Sequence, residues 1–205
     1  MGVKTDTISA MEPPVSDRWA LADPRLAIDL LGTLRHEHDA VVDDLADAHQ
    51  ATEWLRDRHP EVRDPARSRA LLVRLRELVR QLLTTAVDGT PAPPGVVERI
   101  SDLAAGAPLT LTARTHPDGT VTVERASHGD PDVTLAADLA RSALILLAEP
   151  ARDRLRLCRA PGCILFFLQQ DPRQQWCSPT CGNRARVARH YARHNTRPDT
   201  ATSHD

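Results

Sequence analysis

The spacing of apolar residues predicts a chain that is mostly helical. Its clearest helix opens at Asp64-Pro65, because Asp is a preferred N-cap and Pro fits the first helical position. An apolar stripe at helical spacing follows, made of Leu71, Leu72, Leu75, Leu78, Val79, Leu82 and Ala86. The other face carries arginines that we expect to point to solvent, namely Arg67, Arg74, Arg76 and Arg80.

Shorter apolar segments flank this helix. The run from Leu26 to Leu34 is dense enough for a short helix or a buried strand. A helix with Asp47 at its N-cap is expected to end at His59-Pro60, since the residue before a proline disfavours helix. Further helices are predicted over residues 96–105 and 132–147.

One segment has the period of a β-strand instead. Leu109 to Ala113 and Val121 to Val123 alternate between apolar and polar residues, and Pro117-Asp118-Gly119 lies between them. Pro, Asp and Gly are turn residues, so the segment predicts a β-hairpin. We find no third strand near it. The region before residue 150 is therefore predicted to be an orthogonal helical domain with one β-hairpin.

All four cysteines lie within 24 residues, as the pairs Cys158-x4-Cys163 and Cys177-x3-Cys181. Such spacing lets two thiolates of one loop reach the same tetrahedral ion, so one structural Zn²⁺ is the preferred interpretation. Disulfides are less favoured, because the N-terminal residues contain no apolar secretory run. A redox switch that holds zinc in its reduced form is a further alternative. Catalytic zinc is disfavoured, because four thiolates leave no open position for water.

The residues between the two pairs support a zinc module. Ile164 to Leu168 contains both phenylalanines of the chain and is typical of a strand, and Asp171-Pro172 predicts a turn. The second pair leads into a predicted helix. The fold class is therefore mainly α, of the α+β type: the helical domain with its hairpin, followed by a small treble-clef-like zinc finger.

The motif Cys-x4-Cys, followed by Trp176-Cys177-Ser-x-x-Cys181-Gly182-Asn183-Arg184 and a basic helix, resembles the CGNR zinc-finger family. The run from Leu26 to Leu34 is similar to the opening of the ABATE domain, which precedes the finger in that family. ABATE is described as a putative stress-induced transcription regulator, so the resemblance implies a transcriptional role. It covers about residues 20–197. The chain departs from the family pattern at Gly32, more often Asn, and at Leu168-Gln169-Gln170, where an acidic residue is common.

These observations divide the chain into four parts. Residues 1–19 are predicted to be a flexible leader, 20–150 an ABATE-like helical domain, 151–197 the zinc finger and 198–205 a disordered tail. No apolar run reaches the eighteen or so residues that would cross a membrane. Together with reduced cysteines, this predicts a soluble, cytoplasmic protein that associates with the nucleoid when bound to DNA.

Charge is distributed unevenly along the chain. Residues 1–151 contain 16 Lys and Arg against 24 Asp and Glu, whereas residues 152–197 contain 10 Arg against two acidic residues. Positive charge gathered on a zinc module is typical of a nucleic-acid contact. The alternative is that the chain simply uses Arg heavily, since it has a single Lys.

A helical wheel separates the residues after the last cysteine into two groups. The predicted nucleic-acid-binding stripe consists of Arg186, Arg189, His190, Arg193 and Arg197. The opposite, inward arc is expected to hold Arg184 with Val187, Ala188 and Tyr191. Trp176, Gly182, Asn183 and Arg184 are predicted to support the finger. In this view Gly182 allows close approach of the backbone to the ion, and Asn183 caps the helix. Arg184 binds Asn183 or the carbonyls of a knuckle, the loop that joins the two cysteines of a pair (residues 158–163 in the first knuckle).

The preferred function is a DNA-binding transcriptional regulator whose N-terminal domain senses an effector or dimerises. The alternative is a zinc-stabilised protein–protein interaction module without direct DNA contact. RNA binding is disfavoured because few aromatic side chains are available to stack bases. No phosphate loop, nucleophile elbow or telling carboxylate pair is found, so we expect no enzyme activity. A homodimer and a small-molecule effector are expected partners of the N-terminal domain, besides DNA.

Overall fold

The computed structural model describes residues 23–37, 40–58, 60–148 and 150–195. The predicted leader, the tail and Arg197 lie outside these residues. The described helices are α1 (Arg25–Gly32), α2 (Ala48–Arg58), α3 (Pro65–Asp88), α4 (Val96–Ala105), α5 (Pro131–Ala148) and α6 (Pro179–Asn195). The strands are β1 (Leu34–Glu37), β2 (Ala40–Asp43), β3 (Leu109–Thr115), β4 (Val121–Ser127), β5 (Leu155–Leu157) and β6 (Phe166–Leu168). A 3₁₀ helix (Pro150–Arg154) precedes β5.

Helix α3 is the centre of the core, and both of its ends are specified by the sequence. The Asp64 side chain accepts a hydrogen bond from the Arg67 backbone N–H at 3.0 Å, and Pro65 is the first helical residue. Gly89 ends the helix with a left-handed φ of 68°. The predicted stripe is buried at Leu72, Leu75, Leu78, Val79 and Leu82, with Leu83 added.

Helix α5 completes the core by packing against α1, α3 and α4. Its buried residues are mostly Ala and Leu, which lets neighbouring helices approach closely. Two buried polar groups fix its position. The Ser142 hydroxyl accepts a hydrogen bond from the Ala27 N–H and donates one to the Asp23 carbonyl. The Asp132 carboxylate accepts hydrogen bonds from the Arg63 and Asp64 N–H groups at the start of α3.

The predicted hairpin is present as the antiparallel pair β3–β4, with Leu109 opposite Ser127 and Thr115 opposite Val121. It turns at Gly119, whose φ is 82°. The described part of the hairpin is almost entirely exposed, including Leu111, Val121 and Val123.

A second hairpin, β1–β2, was not predicted. The Leu26–Leu34 run is a helix only to Gly32, and Leu34 begins a four-residue strand that pairs with β2. Both strands are only four residues long, and neither LRHE nor AVVD alternates between apolar and polar residues. The fold class itself is confirmed: the described residues form helices with small antiparallel sheets and a C-terminal four-cysteine cluster.

Two arginines of α3 are not solvent-facing, which corrects the expectation for that face. Arg76 is 6% exposed and donates two hydrogen bonds to the Asp43 carboxylate, at 2.6 and 2.7 Å, and one to the Thr33 hydroxyl. This pair connects β2 to α3. Arg80 is half-buried and donates to the carbonyls of Leu31 and Ile164. Burial lowers the pKa of Arg80.

Strands β5 and β6 connect the finger to the helical core. Leu155 and Phe166 are buried in the same apolar cluster as α3 and α5, whereas Phe167, the next residue, is buried among the cysteines. Successive side chains of a strand point to opposite faces. One short strand therefore serves two cores. An ion pair at 3.0 Å between Arg159 of the first knuckle and Asp88 of α3 adds a second connection.

Candidate metal centre and cationic helix face

The four cysteine sulfurs converge on one point. All four Sγ atoms lie within 4.8 Å of one another, and the pairs Cys163–Cys177 and Cys177–Cys181 are 3.8 and 3.5 Å apart. A tetrahedral zinc ion with bonds of about 2.3 Å requires S–S distances of about 3.8 Å. A disulfide would require about 2.05 Å. The four cysteines are free thiols in a geometry that fits one structural Zn²⁺.

Local structure holds each pair in place. In the first knuckle the Cys163 N–H donates to the Ala160 carbonyl at 2.9 Å, and Gly162 supplies the left-handed φ of 71° that the turn needs. The Cys158 N–H donates to the Leu165 carbonyl and so extends the β5–β6 pairing into the knuckle. In the second pair, the Cys181 N–H donates to the Ser178 hydroxyl, which caps α6.

The thiols differ in how easily they ionise. Burial raises the pKa of Cys163 to about 11 and raises that of Cys177 further. Burial also raises the pKa of Cys181, but hydrogen bonds from Ser178, neighbouring thiols and Arg184 outweigh it and bring the value to about 7. Zinc binds thiolates, so binding one ion would release protons from the buried thiols. The ion would supply structural cross-linking only, because sulfur fills its coordination sphere.

The Trp176 indole lies against Gly182. A Cβ at Gly182 would lie 3.0 Å from Trp176 Cδ1, closer than such contacts normally come. The indole therefore packs against the bare backbone of α6. Trp176 packs on the cysteine cluster, and its support of the finger stays a prediction.

Two roles of the motif differ from expectation. Arg184 Nη2 donates to the Cys181 sulfur at 3.3 Å, and Nη1 lies over Gly162 of the first knuckle. The Arg184 side chain thus contacts a metal-ligating sulfur and not a knuckle carbonyl. Asn183 lies past the first turn of α6 and is exposed, so Ser178 and not Asn183 caps the helix.

The predicted cationic stripe shares one concave surface. Arg186, Arg189, His190 and Arg193 line a groove of about 290 Å³ along α6. His194, which the wheel did not assign to the stripe, lines it too, and its Nε2 lies 3.1 Å from His190 Nε2. The spacing of four between these histidines could have revealed their proximity. Whether the groove binds nucleic acid stays a prediction.

The inward arc of α6 was wrong for two residues. Val187 and Tyr191 are 46% and 64% exposed, whereas Cys181 and Ala185 are buried. The wheel centred the arc on Arg184, but the buried residues of α6 lie in its first two turns, beside the cysteine cluster.

A second concavity lies beside the stripe, and the sequence did not predict it. It is a cleft of about 500 Å³ between α6 and the loop that leads to the second cysteine pair. Arg186 and Arg189 line it from the helix, Arg173 from the loop, and Trp176 and Gly182 also form its lining. Arg173 lies 13 residues before Arg186, the first residue of the stripe, so helical periodicity could not associate it with α6.

None of the helices in the described part of the chain combines the length and apolarity that crossing a bilayer requires.

Two family models match the chain. ABATE, described as a putative stress-induced transcription regulator, matches residues 24–150, and the CGNR zinc finger matches residues 154–194. The order and identity of the two matches confirm the resemblance found in the sequence. A comparison with curated proteins found no match.

Proposed function

The chain belongs to the ABATE family and carries a CGNR zinc finger, and from this premise we propose that it is a zinc-dependent, DNA-binding regulator. The observation that carries the proposal is the groove on α6, where three arginines and two histidines gather on one exposed surface. Zinc holds the start of this helix, so the metal determines how the stripe is presented. Arg197, outside the described residues, continues the stripe in the proposal.

The charge of the groove is available to an external anion. Arg186 forms no ion pair with any of the described residues, and Arg189 makes one bond, from Nε to the Ala185 carbonyl of its own helix. Exposed arginines of this kind bind DNA phosphates and release counterions. His190 and His194 add positive charge only when protonated.

Salt-dependent binding to duplex DNA tests this function. Each phosphate neutralised on B-DNA contributes a slope of about −0.9 in log K against log salt, so the stripe predicts about −4. Alanine variants of Arg186, Arg189 and Arg193 should each reduce the slope while zinc stays at one equivalent. The matched control is Arg74→Ala, since Arg74 is exposed on α3 and lines neither concavity. A wild-type slope near zero would rule the function out.

A second candidate has its own support. The finger shares Phe166 with the helical core, and Arg80 and Arg159 bond across the junction. A finger attached in this way would brace the helical domain in a protein–protein interaction module. The same binding experiment separates the two functions, because a bracing finger needs no affinity for duplex DNA.

Self-association is the remaining part of the proposal. One finger gives little DNA affinity by itself, whereas a two-fold dimer presents two. We assign the contact to the exposed hairpin β3–β4 of a second copy, because a two-stranded hairpin with an uncovered apolar face is marginal alone. Sedimentation of Leu111→Asp against wild type tests this, and equal masses at all concentrations would contradict it.

A small-molecule effector and nucleoid association stay predictions. The proposal includes no catalytic step.

A further inference from the structure

The cleft beside the stripe is formed by two separate segments, and both supply positive charge. Arg173 reaches it from the loop 171–176, and Arg186 and Arg189 reach it from α6. We propose that this cleft is a clamp for one phosphodiester of the DNA backbone, gripped between the loop and the helix. The inference rests on the proposed function and adds to it a contact outside the helical stripe, with Arg173 as its defining residue.

The electrostatics of the cleft favour an anion. Within the described part of the chain, neither Arg173 nor Arg186 forms an ion pair, and no carboxylate lines the cleft. Asp171 is the nearest acidic residue in sequence, but its carboxylate accepts a hydrogen bond from the Arg173 N–H at 2.7 Å and so serves the turn. Ser178 and Pro179 place the positive end of α6 at the same cleft.

The loop that carries Arg173 is held in shape before any ligand binds. Gln169 Nε2 donates to the carbonyls of Pro172 and Gln174, at 3.1 and 2.9 Å. The Gln174 side chain accepts from the Gln170 N–H and donates to the Trp176 carbonyl. Gln169, which belongs to the stretch where the sequence departs from the family pattern, thus cross-links the loop through its side chain. A fixed loop loses little conformational entropy on binding, which favours a clamp.

The lining of the cleft suits a sugar–phosphate unit. Trp176 and Gly182 contribute an indole and bare backbone, beside the three arginines. Side chains that neutralise phosphates fix the register of a protein on duplex DNA without reading its sequence. The clamp would therefore set the position of α6 along the backbone and leave base contacts to the exposed stripe.

The test compares Arg173→Gln with Arg173→Lys in the full-length, zinc-loaded protein, with Arg74→Gln as the control. Removing one phosphate contact should reduce the magnitude of the salt slope by about 0.9. When salt is raised from 50 to 200 mM, the factor by which DNA affinity falls should therefore be about 3.5 times smaller for Arg173→Gln than for wild type. Arg173→Lys keeps the charge and should keep the slope. Arg74→Gln should leave the slope unchanged.

Trp176 supplies a second readout inside the cleft. The chain has three tryptophans, and the double substitution Trp19→Phe, Trp54→Phe leaves Trp176 as the only one. Duplex DNA should change its fluorescence, and Arg173→Gln should weaken that change. Inorganic phosphate at constant ionic strength should neither reproduce the signal nor displace the duplex at millimolar concentration.

The outcomes separate the two proposals. An unchanged slope in Arg173→Gln, with a reduced slope in Arg186→Gln, overturns the clamp and leaves DNA binding by the helix intact. A wild-type slope near zero removes DNA binding and the clamp together. Displacement of the duplex by millimolar inorganic phosphate assigns the cleft to free phosphate and also overturns the clamp.

Discussion

Arginines in the helical region and in the finger differ in whether a carboxylate pairs with them. In the helical region Arg76 pairs with Asp43 and Arg141 pairs with Asp138, and both guanidinium groups are largely buried. In the finger Arg173 and Arg186 have no carboxylate partner among the described residues. The helical region is rich in acid and neutralises its own cations, whereas the finger has almost no acid to do so. Arg76 and Arg141 are therefore structural, whereas Arg173 and Arg186 are available to a ligand.

The two regions also differ in what holds them together. The helical core contains many fully buried leucines on four elements, including Leu30, Leu55, Leu75 and Leu146. The buried part of the finger consists of Cys158, Ala160, Phe167, Cys181 and Ala185. Two alanines and one phenylalanine bury too little apolar surface to order a chain by themselves. The metal has to stabilise the finger, and the following predictions test this difference in order of expected size.

Metal removal should produce the largest effect. Structural zinc in small modules contributes an apparent binding free energy of about 10–16 kcal/mol. A strong chelator under reducing conditions should therefore unfold α6, a helix of 17 residues, while α2 to α5 stay folded. Circular dichroism before and after chelation, with the metal content measured by mass spectrometry, checks this. A finger that keeps its helix signal after complete metal loss would show that apolar packing holds both regions.

Adjacent phenylalanines can separate the two cores. Phe166 is 4% exposed in the helical core and Phe167 is 8% exposed in the finger. Truncating a buried Phe to Ala costs about 3–5 kcal/mol. Phe166→Ala should lower the denaturation midpoint of the helical region, and Phe167→Ala should mainly weaken zinc affinity. Denaturation and competitive zinc titration of both variants measure this. Identical behaviour of the two variants would mean that the regions fold as one unit.

The pair between Asp43 and Arg76 tests the paired arginines. Asp43→Asn leaves a buried cation without its partner, and we expect a loss of about 3 kcal/mol at pH 7. The hydrogen bonds from Arg76 lower the pKa of Asp43. The contribution is thus present above the unfolded pKa of about 3.9 and is lost as the pH falls through the lower folded value.

Denaturation of wild type and Asp43→Asn between pH 7 and 2.5 measures this, and the difference should shrink below about pH 4. Asp44→Asn is the control, since its ion pair with Arg35 has both side chains 28% exposed and should contribute under about 1 kcal/mol. A difference between wild type and Asp43→Asn that is independent of pH would show that charge is not the cause.

Local signals made much of this fold predictable. The caps at Asp47 and Asp64, the turn at Gly119 and the spacing of the cysteines each act within a few residues, and each prediction agrees with the structure. The role of Arg76 could not be read in the same way. Its partner Asp43 is 33 residues away, on a strand of only four residues without a period of two.

The site shows the same limit. The four cysteines could be assigned because their spacing encodes a shared ion. The reason for Gly182 depends on where the Trp176 indole lies, and the cleft at Arg173 depends on a loop folding back on α6. Helical periodicity describes α6 as an isolated rod, so it placed Tyr191 inward although that residue is 64% exposed.

Replacing one glycine by alanine in each region should give the smallest effects on stability, and the two effects should have opposite signs. Gly32 ends α1, and within the described part of the chain a Cβ there meets nothing within 4 Å beyond its neighbours in the helix. Gly32→Ala should stabilise the helical region by about 0.5 kcal/mol, because alanine restricts the unfolded chain and favours helix. Gly182→Ala places its Cβ 3.0 Å from Trp176 Cδ1, and the rigid indole can move only by disturbing the cysteines it packs on. Overpacking of this kind costs about 1–3 kcal/mol. Zinc affinity and Trp176 fluorescence should both change in Gly182→Ala and neither in Gly32→Ala. If Gly182→Ala also stabilised the protein, the indole would have to yield freely, and the finger would be as adaptable as an exposed helix end.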